Sequence, residues 1–325
     1  MSAVSDALLV VAVLAYLVAM VLHAAQFAFR DRPAREAVAA PTQPARALAR
    51  GAVTTADPPP TPVPGGGPPE RAGGAGRALP LDRVALWSLL LAVAAHAATA
   101  VTRALAAHRV PWGNMYEFVL TATLVGAVAW LVVRFRHPAA AHLGLYVALA
   151  NVALLGLAGM VLYSPVGPLV PALDSYWLVI HVAAASTATG IFLVGFVTAV
   201  MFLVRTGYEA QKTRFPYPLG VKMPAAGALE RLMFRVHAFA FPIWTFAVIA
   251  GAIWAEAAWG RYWGWDPKEV WAFISWILYA GYLHARATPH VRRTSTAWLA
   301  IAAWVTMLMN LFGVNFFLEG LHSYA

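Results

Sequence analysis

Long apolar runs separated by short polar segments make up most of the chain. Several of these runs exceed the ~20 residues that an α-helix needs to cross the hydrocarbon core of a bilayer. The pattern predicts an all-α, polytopic membrane protein with about eight transmembrane helices. We expect these spans at residues 4–29, 82–105, 115–133, 139–163, 176–204, 232–256, 268–285 and 295–318.

The same pattern divides the chain into three parts. Residues 1–29 are predicted to form a transmembrane anchor, because their apolar run is too long for a signal peptide and no basic segment precedes it. Residues 30–81 are predicted to be a disordered linker, since residues 41–80 hold ten prolines and seven glycines and cannot bury enough apolar surface. Residues 82–325 then form a membrane domain of seven helices.

The placement of Lys and Arg predicts the orientation in the membrane. With the N-terminus outside, the segments on one side hold 19 of the 23 Lys and Arg residues. Cytoplasmic loops are enriched in these residues, so this side, which includes the linker, is predicted to be cytoplasmic. Both termini and the segment 254–270 then face outward from a cell membrane.

The composition of the chain argues against several classes of function. The chain is 61% hydrophobic and 11% charged, which argues against a soluble enzyme. Its net charge of +9 does not indicate nucleic-acid binding, because the basic residues lie at the ends of apolar runs. The chain has no cysteine, which excludes disulfides, zinc–thiolate sites and a cysteine nucleophile.

Residues 254–276 form the most unusual segment of the chain. They hold six of its 13 tryptophans, together with the acidic and basic run Asp266–Glu269. Interfacial belts of tryptophan are ordinary in membrane proteins and account for two or three of these residues. The alternative is an aromatic platform for a large, flat, amphipathic ligand whose polar edge meets the charged groups at the rim.

Two histidines are expected near the same outward surface. His181 lies about one turn inside the fifth predicted span, and His322 follows the eighth span by about four residues. A single histidine on an apolar helix is more often a hydrogen-bonded core residue than a ligand. Two at one depth beside an aromatic shelf match the need of a haem iron for two axial imidazoles.

His284 is predicted at the opposite, cytoplasmic level of the membrane. It lies roughly 24 Å below the outer end of its span, where an ionisable group is a functional candidate. If His284 binds iron, a second ligand must come from another subunit or from the same chain. The candidates within the chain are His23, His142 and His237.

The segment PWGNMYEF, residues 111–118, is a third outward element. Asn114 and Glu117 fit a helix N-cap with a capping box, since Glu117 follows Asn114 by three residues. A role for both residues in ligand binding is an equally open interpretation, and the two roles are compatible.

Taken together, these motifs resemble a known family. The run WGRYWGWDPKEVWAFISWILYAGYLHAR resembles the tryptophan-rich WWD signature of haem-handling proteins of cytochrome c maturation. The DPKE run, PWGNMYEF and DSYWLVIH are similar to the CcsA (ResC-like) family of System II. The resemblance implies a haem exporter joined to a cytochrome c synthase, or haem lyase, which acts with a CcsB/ResB-like membrane subunit.

The resemblance also implies roles for the histidines. His181 and His322 match the external pair that holds haem b as both substrate and ligand, and His284 matches the transmembrane histidine at the inner site. The family's second transmembrane histidine belongs to the CcsB/ResB-like subunit. This makes the within-chain partners of His284 less favoured, with His23 kept as a minor candidate because the linker departs from the family.

The expected mechanism assigns the remaining residues. The CxxCH segment of an apocytochrome c docks, its histidine replaces one iron ligand, and its thiols add to the haem vinyl groups.

We expect Arg261 and Lys268 to pair with the haem propionates. Asp266, a further catalytic candidate, and Glu269 are expected to orient those cations or loop amides. A thioredoxin-like thiol reductant is a further candidate partner. Tryptophans expected to pack against the porphyrin are Trp259, Trp263, Trp265 and Trp271.

Two other classes of function remain compatible with the sequence. A secondary transporter of an organic solute would use its intramembrane histidines, although such sites usually lie near the bilayer midplane. A non-catalytic assembly subunit would use the tryptophan segment to bind a protein. A haem synthase would purify as a red protein, whereas either alternative would be colourless.

Overall fold

The computed structural model describes residues 2–29, 79–136, 141 and 143–322, which form helices and no β-strand. This confirms the predicted all-α class. Of the linker predicted over residues 30–81, residues 30–78 lie outside the described residues. The next helix begins at Leu79, within the predicted linker. The eight long helices are α1 (Ser2–Phe29), α2 (Leu79–Ala107), α3 (Met115–Arg136), α4 (Leu143–Val161), α5 (Tyr176–Glu209), α6 (Ala226–Trp259), α7 (Pro267–Ala287) and α8 (Arg293–Leu308).

Seven of the helices in the described ranges are long and apolar enough to cross a membrane, so the protein is a multi-pass membrane protein. They correspond to the predicted spans, except that α7 does not reach the required hydropathy. The reason lies in its ends, where Lys268 and Glu269 open the helix and His284 and Arg286 close it.

Contacts at both ends of α7 show that it extends through the same depth as α6. At one end, Nδ1 of His322 donates a hydrogen bond of 2.8 Å to Oδ1 of Asp266, the N-cap of α7. At the other end, Nη2 of Arg286 donates a bond of 3.1 Å to Oε2 of Glu230 near the start of α6. We call these the tryptophan end, where Trp254, Trp259 and Trp263 lie, and the arginine end, where Arg134, Arg205 and Arg286 lie.

Helix α5 is the centre of the bundle. Of its apolar 18-residue window, 78% is buried, a larger share than in the other membrane helices of the described ranges. Small residues allow this close packing, since a Cβ on Gly190 would collide with the backbone of Ala122 and Gly126 in α3. Helix α5 begins with a Ser175 cap, whose hydroxyl accepts from the amide of Trp177 at 3.2 Å.

Helix α8 does not end as a regular helix. It continues through a π-helical turn, Met309–Gly313, into the short helix α9, Val314–Phe317. A π-turn changes the face that later residues present, and such turns are frequent at functional sites. Here the turn places Asn310 and Leu311 in the wall of a cavity at the tryptophan end. Residues 318–322 follow α9, and we call them the C-terminal strap.

Candidate functional site

A cavity of about 190 Å³ lies at the tryptophan end. Its walls come from the segment before α3, from α5, α6 and α7, from the end of α8 and from the strap. Its lining is mostly apolar, and its polar side chains include His181, His322, Lys268, Asn114 and Asn310.

His181 lines this cavity from the second turn of α5. Its ring stacks on Trp254 with a centroid distance of 5.9 Å and an interplanar angle of 9°. Its Nδ1 donates to the backbone oxygen of Ala247 at 2.8 Å. The imidazole fits because residue 251 is glycine: a Cβ there would lie 2.7 Å from Cε1 of His181.

His322 lines the same cavity from the strap. Its ring meets Trp259 and Trp254 edge-on, with centroid distances of 4.7 and 5.5 Å. Its Nδ1 donates to Asp266 at 2.8 Å. The structure therefore brings together the two histidines that the sequence placed at one depth, with Trp254 in contact with both.

The hydrogen bonds of both rings have the arrangement typical of metal-binding histidines. Such histidines donate one ring N–H to a carboxylate or a backbone carbonyl, which fixes the tautomer and the ring orientation. Because Asp266 and the Ala247 carbonyl take the two Nδ1 atoms, a metal ion would bind His322 and His181 through Nε2. Two imidazoles in an aromatic cavity are the donor set of a bis-histidine haem.

Asp266 holds the strap to α7. Besides His322, its carboxylate accepts from the amide of Leu321 at 2.7 Å and from that of Lys268 at 3.2 Å. Burial by itself would raise the pKa of Asp266, but the bonds from His322, Leu321 and Lys268 outweigh it and lower the pKa below its usual value. The carboxylate is thus an anion that orients His322.

Glu269 completes a capping box at the start of α7 and accepts from the amides of Gly264 and Asp266 at 2.8 and 3.1 Å. The two acids were expected to orient Arg261, Lys268 or loop amides. They bond to amides and, in the case of Asp266, to His322, and they make no ion pair with either cation among the described residues.

The two cations expected to meet propionates differ in position. Lys268 lines the cavity and is mostly buried, and its Nζ donates to Sδ of Met115 at 3.4 Å. Within the described residues, no carboxylate lies at salt-bridge distance from this ammonium, so a buried cation faces the cavity. Arg261 is exposed, lies over Gly264 and does not line the cavity.

The four tryptophans expected to pack against a porphyrin also differ in their position relative to the cavity. Trp263 lines the cavity, and Trp259 packs behind it against His322 and Trp254. Trp265 is 67% exposed and adopts a positive φ of 56°, which is unfavourable for a bulky residue. Neither Trp265 nor Trp271 lines the cavity.

Asn114 caps α3, as the capping prediction required, by accepting from the amide of Glu117 at 2.9 Å, and it also lines the cavity. Glu117 lies behind the cavity wall with no exposed surface. Its carboxylate accepts from Arg103 at 2.9 Å, from Arg109 at 2.7 Å and from the amide of Gly113 at 2.7 Å. It therefore braces the wall segment instead of lining the cavity.

The inner histidines that the structure describes do not converge. His284 is exposed on the outer face of α7, whereas His237 is buried against Tyr279 and Tyr282 on its inner face. His23 is buried against Trp130. His142 lies outside the described residues. The structure thus separates His284 from His23 and His237, and its exposed face is open to another subunit.

Several cavity residues were not predicted from the sequence, namely Trp112, Met115, Tyr262, Met307 and Asn310. Tyr262 lies inside the tryptophan segment and could have been chosen from its position there. Asn310 is a polar residue in an apolar span, which is a usable signal, but its direction depends on the π-turn. The described residues contain no group of three or more His, Cys, Asp or Glu side chains that could hold a metal ion alone.

Comparison with known proteins places these features in a family. The family model described as cytochrome C assembly protein matches residues 112–322, which include every wall of the cavity. The chain is 39% identical over 170 residues to the cytochrome c biogenesis protein CcsA of Guillardia theta, covering 48% of this chain and 56% of that protein.

Two further relatives carry the same name. The chain is 30% identical to CcsA of Porphyra purpurea over 75% of its own length and 88% of the relative. Against CcsA of Gloeobacter violaceus it is 33% identical over 49% of its length and 61% of the relative. The chain belongs to the CcsA family of cytochrome c biogenesis proteins.

Proposed function

We propose that this protein presents haem b at the tryptophan end of the bundle and attaches it to the CxxCH segment of apocytochrome c. The observation that carries the proposal is the pair His181 and His322 in one aromatic cavity, each with Nδ1 already bonded to an acceptor. In this proposal haem is the substrate, and the protein is the CcsA-type subunit of a System II synthase.

The chain's own residues supply binding and orientation. His181 and His322 ligate the iron through Nε2, and Trp263 and Tyr262 border the porphyrin. Lys268 pairs with a propionate, because a buried ammonium with no carboxylate of the described residues at salt-bridge distance gains most from an anionic ligand. Arg261, exposed in the neighbouring loop, is the remaining candidate for the other propionate.

The covalent step joins two thiols of the client to two vinyl groups of haem. Each S–H adds across a vinyl C=C, so a carbon–sulfur bond forms and the hydrogen goes to the other vinyl carbon. The client thiols must be reduced, which is the proposed task of a thioredoxin-like partner. The chain accelerates the step by holding haem in one orientation, which makes an encounter of large reactants nearly unimolecular.

We infer that the tryptophan end faces outward from the plasma membrane. The N-terminal helix begins there, since Tyr163 donates to Asp6 at 3.0 Å beside the cavity wall residues, and the strap ends there. Within the described residues, most of the Lys and Arg side chains lie at the other end, as on cytoplasmic surfaces. Both termini then lie outside.

The entrance for haem is proposed at His284, at the arginine end. This side chain is exposed on the outer face of α7, in line with Phe273 and Ile277. An ionisable group on an apolar face needs a partner in the membrane. A CcsB/ResB-like subunit that covers this face and supplies the second iron ligand fits the arrangement.

The experiment is co-expression of the chain, its CcsB/ResB-like partner and an apocytochrome c. We expect covalent haem on the cytochrome with the wild type, detected by haem staining of denatured protein. His284→Ala should lower both product and haem content, because haem no longer enters, while the ligands at the outer site are intact.

The matched control is His290→Ala, an exposed histidine in the loop after α7, which should leave product and haem content unchanged. Absence of covalent haem with all wild-type components present would overturn the synthase proposal. Normal haem loading in His284→Ala would remove only His284 from the route.

A further inference from the structure

The two histidines of the cavity are held in different ways. His181 belongs to α5, which has the largest buried share among the described membrane helices. The side of its ring that faces away from the cavity contacts α6. There the ring contacts the Ala247 carbonyl, the Trp254 ring and Gly251, which has no room for a Cβ. The backbone that carries His181 cannot move without opening the contact between α5 and α6.

His322 is held by a surface segment. The C-terminal strap follows α9, and its side chains Leu318 and Leu321 are each 40% exposed. Asp266 accepts from the Leu321 amide and from the His322 ring, and that ring also meets Trp254 and Trp259 edge-on. The side chain of His322 itself is 16% exposed. Displacement of the strap would break these contacts and would leave the contact between α5 and α6 in place.

We propose that His322 is the iron ligand that the histidine of the client's CxxCH segment replaces, while His181 stays on the iron. This inference rests on the proposed function and adds which of the two ligands leaves. The positions of the two ligands carry it: the client arrives from outside the bundle, where the strap lies, whereas the opposite ligand belongs to a helix that is packed against α6.

The strength with which each histidine binds iron favours the opposite order of departure. A carboxylate acceptor makes the bond from Nδ1 about twice as strong as a carbonyl acceptor does, and this strengthens His322 relative to His181 as an iron ligand. That difference slows departure of His322 but does not loosen His181, whose helix is fixed by its packing against α6. Asp266 then has a second role. It binds the strap residues that return the His322 ring to the iron site after the product leaves.

The exchange balances without an electron donor. The bond between iron and Nε2 of His322 breaks, and a bond between iron and the client's imidazole forms. Both ligands are neutral imidazoles, so the oxidation state of the iron does not change. No proton transfer is required, and the thiols remain free to react with the vinyl groups.

The test uses full-length protein purified with haem in the presence of imidazole, as His322→Gly and His181→Gly variants. The probe is an SxxSH peptide, which offers the client histidine but cannot form thioethers, and the control peptide is SxxSA. After imidazole is removed by desalting, we expect SxxSH to restore the low-spin bis-histidine spectrum in His322→Gly and to leave the spectrum of His181→Gly unrestored. Restoration in His181→Gly and not in His322→Gly would overturn the inference.

A second measurement uses the wild type and does not depend on the folding of a variant. Haem-loaded protein is treated with diethyl pyrocarbonate, which modifies uncoordinated imidazole, and the sites are read by mass spectrometry. Addition of SxxSH should increase modification of His322 and leave His181 protected. Increased modification of His181 alone contradicts the inference, whereas equal haem spectra in the wild type and both glycine variants contradict the proposed function itself.

Discussion

Replacement of His181 or His322 by glycine is expected to remove the bis-imidazole haem spectrum of the purified protein. Loss of a residue that only orients a metal-binding histidine costs roughly 10–100-fold in affinity, so loss of the ligand should cost more than about 100-fold. Added imidazole should restore part of the signal, because each glycine leaves space for one imidazole beside Trp254. The measurement is the Soret and α-band absorption of protein purified with and without imidazole.

His290→Gly is the matched control for this experiment. His290 is exposed at the far end of the bundle and makes no contact with the cavity, so its loss should leave the spectrum intact. If the double variant of His181 and His322 holds as much haem as the wild type, the cavity is not the haem site.

Replacement of Glu117 by glutamine is expected to destabilise the folded protein by about 3–5 kcal/mol. Glu117 has no exposed surface, and its carboxylate pairs with Arg103, which is 1% exposed, and with Arg109. Glutamine has nearly the same shape but no charge, so a buried guanidinium is left without compensation. The same change loosens the wall segment at Gly113, and thermal unfolding in detergent measures the effect.

The control is Glu209→Gln, which removes a carboxylate from a pair with Arg205 at positions i and i+4 of α5. Glu209 is 42% exposed, and a surface pair of this kind contributes about 0.3–0.5 kcal/mol. An effect of Glu117→Gln as small as that of Glu209→Gln would show that the buried ion pairs do not stabilise the cavity wall.

The helices could be predicted from the sequence because each apolar run exceeds the thickness of the bilayer core. The least regular case, α7, was still placed correctly, since Asp266 and Pro267 fix its first turn. Its weak hydropathy comes from charged ends that meet other elements, among them Glu230 at the arginine end. Depth along a helix follows from residue count, which is why His181 and His322 could be assigned to one level.

Contacts between distant elements could not be predicted in the same way. Sequence position gives the depth of a residue and leaves its direction around the helix open, so the bond between Asp266 and His322, 56 residues apart, has no local signal. Glu117 carries a local capping signal, but one of its two ion pairs is with Arg103, 14 residues earlier. The π-turn at Met309–Gly313 turns Asn310 to the cavity, and a regular helical period does not predict it.

The composition of the tryptophan segment does not predict which of its indoles lie at the cavity. Trp254 and Trp259 pack on the histidines, and Trp263 reaches the cavity. Trp265 and Trp271, although part of the same segment, lie elsewhere. Helix α6 ends at Gly260, which has a φ of 69°, and the loop 260–266 that follows brings Trp263 to the cavity and leaves Trp265 exposed.

The most direct test of the central claim is the absorption and electron paramagnetic resonance spectrum of the purified wild-type protein. A haem iron held between His181 and His322 predicts a red protein with a low-spin, bis-imidazole spectrum. A colourless protein from haem-replete cells, or a haem spectrum without two imidazole ligands, would contradict the account and favour a transporter or an assembly subunit.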